Sequence, residues 1–361
     1  MKIIFLFLFS IFFSSIAVFA QCICTPKCPF DSCYYGGDGL TKATAFQLWT
    51  IEHLMELRDS VKKSSHLIPI VWYNGKHFRL MQDIYDSIRQ TIGITHFDAY
   101  FHGGGHKLIL ALKMNSVIQN ELSLFGGTSP LVDSLVVEGY VIGGNTAIAC
   151  GSDSIFHVVN NANVVNTFTI RPYGNYAAGI SRINFGHIHN CINNGSITGY
   201  DRVGGIAAQQ GNYHINGIVD NCINTGRIYA TNSGRYAPIT LGAGGIAGVT
   251  FYASILNCIN VGTIEGENNV GGITGYIEVK NATLINNISY SFVKGENAVG
   301  GIVGITRLTS GANQPLLPLT NISNNSNFGV VVGEEYTGCI VGKNNGGNIS
   351  NNHYDKQMCG E

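Results

Sequence analysis

Ile255-Leu256-Asn257-Cys258-Ile259-Asn260-Val261-Gly262-Thr263-Ile264, closing on Val270-Gly271-Gly272-Ile273, is one turn of a pattern that returns six times between Ile188 and Tyr354. Its first mark is an apolar residue two places before an asparagine: Ile188-Asn190, Val219-Asn221, Ile255-Asn257, Leu284-Asn286, Ile322-Asn324 and Ile349-Asn351. A second apolar position lies seven residues after the first five asparagines, at Ile197, Ile228, Ile264, Val293 and Val331. A Gly-Gly-Ile element then follows at Gly204-Gly205-Ile206, Gly244-Gly245-Ile246, Gly271-Gly272-Ile273 and Gly300-Gly301-Ile302, with Gly338-Cys339-Ile340 as a variant. Fixed internal offsets with length changes confined to a few places are the signature of a repeat architecture. Glycine and asparagine in every unit cost helix stability, and the Ile and Val runs are short and bounded by turn formers, so the unit is β-structured.

A unit of about 27 to 29 residues is long enough for one coil of a β-solenoid and too short for a four-stranded blade. The pattern therefore predicts an all-β chain forming a parallel β-helix, right-handed by the general preference for right-handed crossovers. Coils stacked at about 4.8 Å turn equivalent residues into ladders. The Ile ladder fills the interior at about 1.5 to 3 kcal/mol per buried side chain. Asn190, Asn221, Asn257, Asn286, Asn324 and Asn351 are expected to form an asparagine ladder that bonds amides and turn backbone from coil to coil. Cys191, Cys222 and Cys258 directly follow three of these asparagines and are expected to stack as buried thiols, with Asn287, Asn325 and Asn352 in their place in later coils.

Upstream, residues 1–20 carry Lys2, an apolar run and Val18-Phe19-Ala20, which predicts a signal peptide cleaved after Ala20 and a secreted or cell-surface protein. Residues 21–35 hold Cys22, Cys24, Cys28 and Cys33, spaced as disulfide candidates in an exported chain. Across residues 36–115, Thr50 caps a helix running to about Lys63 with Ile51, Leu54, Met55 and Val61 on one face. That helix is the expected cover for the open end of the solenoid, whose repeats occupy 116–361. Charged residues are 12% of the 361 and the net charge is −1, which argues against nucleic acid or an acidic membrane as a target. No segment after the signal peptide predicts membrane insertion.

The Val270-Gly271-Gly272-Ile273-Thr274-Gly275 element and the Ile-x-Asn-Cys that follows such elements resemble the repeat of bacterial GLUG-motif proteins. Phe78-Arg79-Leu80-Met81-Gln82-Asp83-Ile84 and the stretch from Phe97 to His106 resemble that family's amino-terminal module, departing from it at His102-Gly103-Gly104. The resemblance covers residues 36 to 361 and fades across 116–178. It implies an exported, adhesin-like surface protein and brings no catalytic residues.

His102 and His106 flank three glycines, which exclude the helix on which a four-residue spacing makes a metal pair, so they are read as turn residues and no metal or cofactor is expected. The expected function is binding or adhesion to a glycan or host-surface ligand, with further surface domains as possible partners and no catalysis. Two insertions offer binding residues, Tyr229, Arg235 and Tyr236 in one and Arg307 in the other. The enzymatic alternative is a polysaccharide lyase or hydrolase built on the row Glu267, Glu296 and Glu334, which share a repeat offset. A passive spacer is the third reading.

Overall fold

The computed structural model describes residues 36–64, 73–92, 97–114, 122–127, 130–166, 176–212, 215–231, 242–278, 281–307 and 320–359. These residues form a parallel β-helix: two sheets of sixteen strands and one of six, and every pairing between strands is parallel. Residues 1–20, where a signal peptide is expected, the four cysteines Cys22 to Cys33, and Arg235 and Tyr236 lie outside the described residues.

The predicted ladders define the interior. Ile188, Val219, Ile255, Leu284 and Ile322 are fully buried, as are Ile197, Ile228, Ile264 and Val293 and the isoleucines Ile206, Ile246, Ile273 and Ile302. Register confirms the shared frame: Ile188 faces Val219, Val219 faces Ile255, Ile255 faces Leu284 and Leu284 faces Ile322. In the last described coil Ile349 is exposed, and it pairs on one side with Ile322. There the 3-10 turn Lys356–Cys359 folds back and the disulfide Cys339–Cys359 ties it to the coil before.

The amino-terminal coils use rings where the later ones use branched aliphatics. Phe46, Phe78, Phe97 and Phe125 stack through the core with successive centroids 5.5, 6.3 and 4.9 Å apart. The helix Ile51–Ser64 buries Leu54, Leu57 and Val61 against this end, and in its first turn the His53 amide donates to the Thr50 hydroxyl oxygen. Stacking continues through the described residues between 122 and 166, where the sequence pattern fades: Lys107–Lys113 pairs directly with Val136–Ile142, and Val132 faces Ile155. What is lost there is the Gly-Gly-Ile spelling and not the coil.

Strand Ser181–His189 is where the first sheet forks. Its leading half pairs onward with Ala207–Gln210 and its trailing half with Ile218–Asp220, so each later coil carries two short strands and a corner. The register towards the preceding strand, Ala149–Phe156, shifts between Asn184 and His187.

The expected asparagine ladder forms in part, with Asn286 Nδ2 donating to Asn257 Oδ1 at 3.2 Å, and a second, buried polar ladder runs beside it. Asn190, Asn221, Asn257, Asn286, Asn324 and Asn351 share a left-handed backbone, with φ between 50° and 59°, and they lie at the surface. Asparagine tolerates that conformation at a bend better than other side-bearing residues, which explains the recurrence. The continuous amide ladder stands three places on, at Asn160, Asn193, Asn224 and Asn260, all fully buried. Each Nδ2 of the first three donates to the next Oδ1, at 2.7, 2.7 and 2.8 Å. The second glycine of the Gly-Gly pair packs on this ladder. A Cβ at Gly205 would collide with Asn224 and with the Gly245 carbonyl, and one at Gly245 with Asn260 and the Gly272 carbonyl.

The Cys191, Cys222, Cys258 column is buried and unbridged, and each Sγ sits against the carbonyl of the apolar ladder residue one coil earlier: Ile155, Ile188 and Val219. Asn287, Asn325 and Asn352 take over the same duty, donating to Ile255, Leu284 and Ile322 at 2.9, 3.0 and 2.8 Å. Burial pushes the Cys191 and Cys258 thiols up.

Gly245→Ala should lower stability by about 1 to 3 kcal/mol, the usual cost of overpacking a filled interior. Gly266→Ala, whose added carbon meets only side-chain atoms at 3.2 Å or more, should cost much less. Urea midpoints of the two variants beside the parent check this.

Candidate functional site

The structure separates the sequence-nominated binding residues. Tyr229 lies in Ile228–Ala230 on the second sheet, and the Arg227 guanidinium sits 5.1 Å from its ring centroid. Arg307 ends strand Val303–Arg307 on the first sheet, in register with Glu278 and Asn345. The two insertions therefore spring from different faces. The carboxylate row is stacked as expected: the Glu296 amide donates to the Glu267 carbonyl at 2.7 Å, and the Glu334 amide to the Glu296 carbonyl at 3.1 Å. Glu265 belongs elsewhere, on the strand opposite Tyr229 and Lys294, and pairs with Arg227 at 3.1 Å.

Two outward features were not singled out in the sequence. The first is apolar. The position after the buried amide ladder runs Asn161, Asn194, Thr225, Val261, Tyr290, Phe328 and Asp355, one residue per coil. Its early members bond to one another, Asn194 to Asn161 at 2.8 Å and Thr225 to Asn194 at 2.7 Å. Its later members are bare: Val261 and Tyr290 are each 52% exposed and Phe328 44%. The Tyr290 and Phe328 rings stack with centroids 5.5 Å apart and a 25° tilt, and Phe292 and Val332 are exposed on the same two coils. Rings held one coil apart on a rigid ladder form a platform, and exposed apolar surface of this kind marks an interaction site.

The second feature is a band of imidazoles and carboxylates on the outer face of the first sheet. His102 and Asp133 occupy one register row with Phe156, His189 and Asp220. His77 Nδ1 lies 2.9 Å from His102 Nε2, and the His77 ring stacks flat on Tyr100 at 4.2 Å. Lys42 Nζ pairs with Asp133 Oδ2 at 2.7 Å, while Ser134 donates to Asp133 Oδ1 at 2.7 Å. Burial, reinforced by the Lys42 charge, pushes His102 down to about 4. Burial opposes ionisation of Asp133, but Lys42, Ser134 and His157 outweigh it and hold the carboxylate at about 2. Two coils beyond Asp133, His189 Nδ1 lies 3.1 Å from Asp220 Oδ2, with His187 beside it.

His106 does not join this band. It turns to Asp83, 3.2 Å away, and Asp83 also accepts from the Lys107 amide at 3.1 Å. Gly104 and Gly105 between the histidines have φ of 64° and 80°, a turn that a helix could not supply. The sequence signal for the band was present as His187-Ile188-His189: alternate residues of a strand share a face, and Ile188 in between belongs to the core. Asp220 stands immediately before its repeat asparagine, as His189 does, and so follows it one coil later.

No protein-family model matches the chain, and no curated protein matches it. Among solved structures it is similar to a Bacteroides ovatus chain provisionally named an immunoglobulin A1 protease, at 17% identity and a TM-score of 0.46, covering 79% of this chain and 84% of that one.

His102 stays neutral in the fold down to about pH 4, whereas an exposed histidine titrates near 6.5. Between those values the unfolded chain binds the additional proton, so stability is complete above about 6.5 and falls as pH drops toward 4. Apparent Tm measured across that window should decline with acidification, and His102→Asn should make the decline shallower.

Proposed function

We propose that this is an exported β-helix module that binds an extended glycan along the Tyr290-Phe328 platform without cleaving it. The observation that carries the reading is the stacked, exposed ring pair, flanked by Phe292, Val332 and Val261, on a ladder whose backbone is fixed from both sides. Aromatic faces present apolar area at low entropic cost and accept the C–H faces of sugars. An extended chain lying along the coil axis meets one ring per coil. The polar part of the row, Asn161, Asn194 and Thr225, supplies hydrogen-bonding groups further along the same line. Export is supported by the apolar leader with its small-residue end and by the Cys339–Cys359 bridge, since such bonds persist in oxidising compartments. A surface adhesive role fits the same geometry.

The test is a glycan array followed by calorimetry and a polysaccharide-cleavage assay on the mature chain. Tyr290→Ala/Phe328→Ala should lower affinity at least tenfold with the circular dichroism spectrum unchanged. Glu267→Gln/Glu296→Gln/Glu334→Gln should leave binding intact. Turnover that vanishes in the triple carboxylate variant would replace this reading with a carbohydrate-cleaving enzyme.

A further inference from the structure

We propose that His187, His189 and Asp220 form a binding site for a divalent transition metal, with zinc as the best-fitting ion. The ligating atoms of the three side chains all lie within 4.8 Å of one another, and all three residues are half-buried on the outer face of the forked strand. His189 Nδ1 and Asp220 Oδ2 are 3.1 Å apart. Two donors of a tetrahedral zinc with bonds of about 2.0 to 2.1 Å lie about 3.3 Å apart, so this pair already spans one edge of the polyhedron.

A plain His-Asp hydrogen bond accounts for two of these groups and leaves the third unexplained. His187 Nε2 is buried and has no hydrogen-bond partner. A buried imidazole nitrogen left unpaired carries the desolvation cost of a polar group, which coordination would remove. The surroundings hold the donors in place. Phe156 meets the His187 ring edge-on at 5.8 Å. Asn257 Nδ2 donates to Asp220 Oδ1 at 2.9 Å, fixing one carboxylate oxygen from the next coil and leaving Oδ2 on the histidine side. Outer-shell bonds of this kind orient metal ligands.

The donor set decides the ion. Two imidazoles and one carboxylate suit zinc, nickel or copper, whereas calcium and magnesium take oxygen. The thiols of Cys191 and Cys222 are fully buried and sit against backbone carbonyls inside the coil. Three protein donors leave a position open to water or to an oxygen of a bound molecule. The site stands apart from the aromatic platform and does not depend on it.

The full chain, stripped with a chelator, should take up one zinc per chain at this site and unfold at a higher temperature with zinc present. Cobalt in its place should give the visible absorption of a nitrogen- and oxygen-ligated site without a thiolate charge-transfer band. His187→Gln and Asp220→Asn should each weaken zinc binding at least tenfold, Asn257→Ala several-fold, and His106→Gln not at all. No uptake by the parent, a thiolate band, or uptake that survives in both ligand variants would overturn the proposal. The cobalt spectrum reads the parent protein, so it tests the site even where a variant fails to fold.

Discussion

The contact on which the coil geometry depends is the one between the buried amide ladder and the second glycine of each Gly-Gly pair. Asn160, Asn193, Asn224 and Asn260 lie inside a hydrophobic column, where an unpaired amide would cost more than it returns. Each is bonded along the ladder and also to a carbonyl two residues on, as Asn193 is to Gly195 at 2.9 Å. That double use pins the turn after each asparagine. The third sheet then closes over the ladder at a distance that admits no β-carbon. Where the asparagine is replaced by Ser289, Gly272 packs on its hydroxyl instead, and Asn327 restores the amide against Gly301. Glycine and amide are thus two halves of one packing unit, repeated coil by coil.

This unit explains how much of the fold was legible. Offsets between the apolar ladders survive in the sequence because burial permits few alternatives at Ile188, Ile197 and Ile206 and their successors. The asparagine before each cysteine was equally visible, and its expected coil-to-coil bond is present where Asn286 donates to Asn257, but the fully buried amide ladder three places on was not read from the sequence. Recurrence alone does not distinguish an amide retained for its side-chain bonds from one retained for a left-handed backbone; all six of these asparagines share that backbone, and Asn257 and Asn286 make side-chain bonds as well. The region 116–178 was opaque for the opposite reason. Its coils are filled by Phe125, Val132, Ile155 and Val164, whose stacking needs size and apolarity but no fixed spelling.

The outer face was less legible because nothing forces successive coils to agree there. Inside, the position after the bend changes from Cys258 to Asn287 and still donates to the same carbonyl row. Outside, the row from Asn161 to Phe328 passes from amide to hydroxyl to aliphatic to ring without disturbing a strand pairing. Along the sequence the tyrosines and phenylalanines look scattered. Only the register shows that Tyr290 and Phe328 are neighbours.

Ladder geometry also bears on what each feature can do. Stacked coils hold equivalent side chains parallel, which suits the gripping of an extended partner and opposes the convergence of groups on one atom. The carboxylates of Glu267, Glu296 and Glu334 follow this parallel rule, their backbones bonded one above another. Convergence comes from side chains brought in at the corners, as Lys42, Ser134 and His157 meet at Asp133, and from irregularities such as the fork of the first sheet at Ser181–His189, where the register shifts. There two alternate residues of one strand and one from the next coil bring nitrogen and oxygen donors together. Chemistry that requires several groups on one centre is therefore served at corners and at the fork, and recognition that requires repetition is served along the rows.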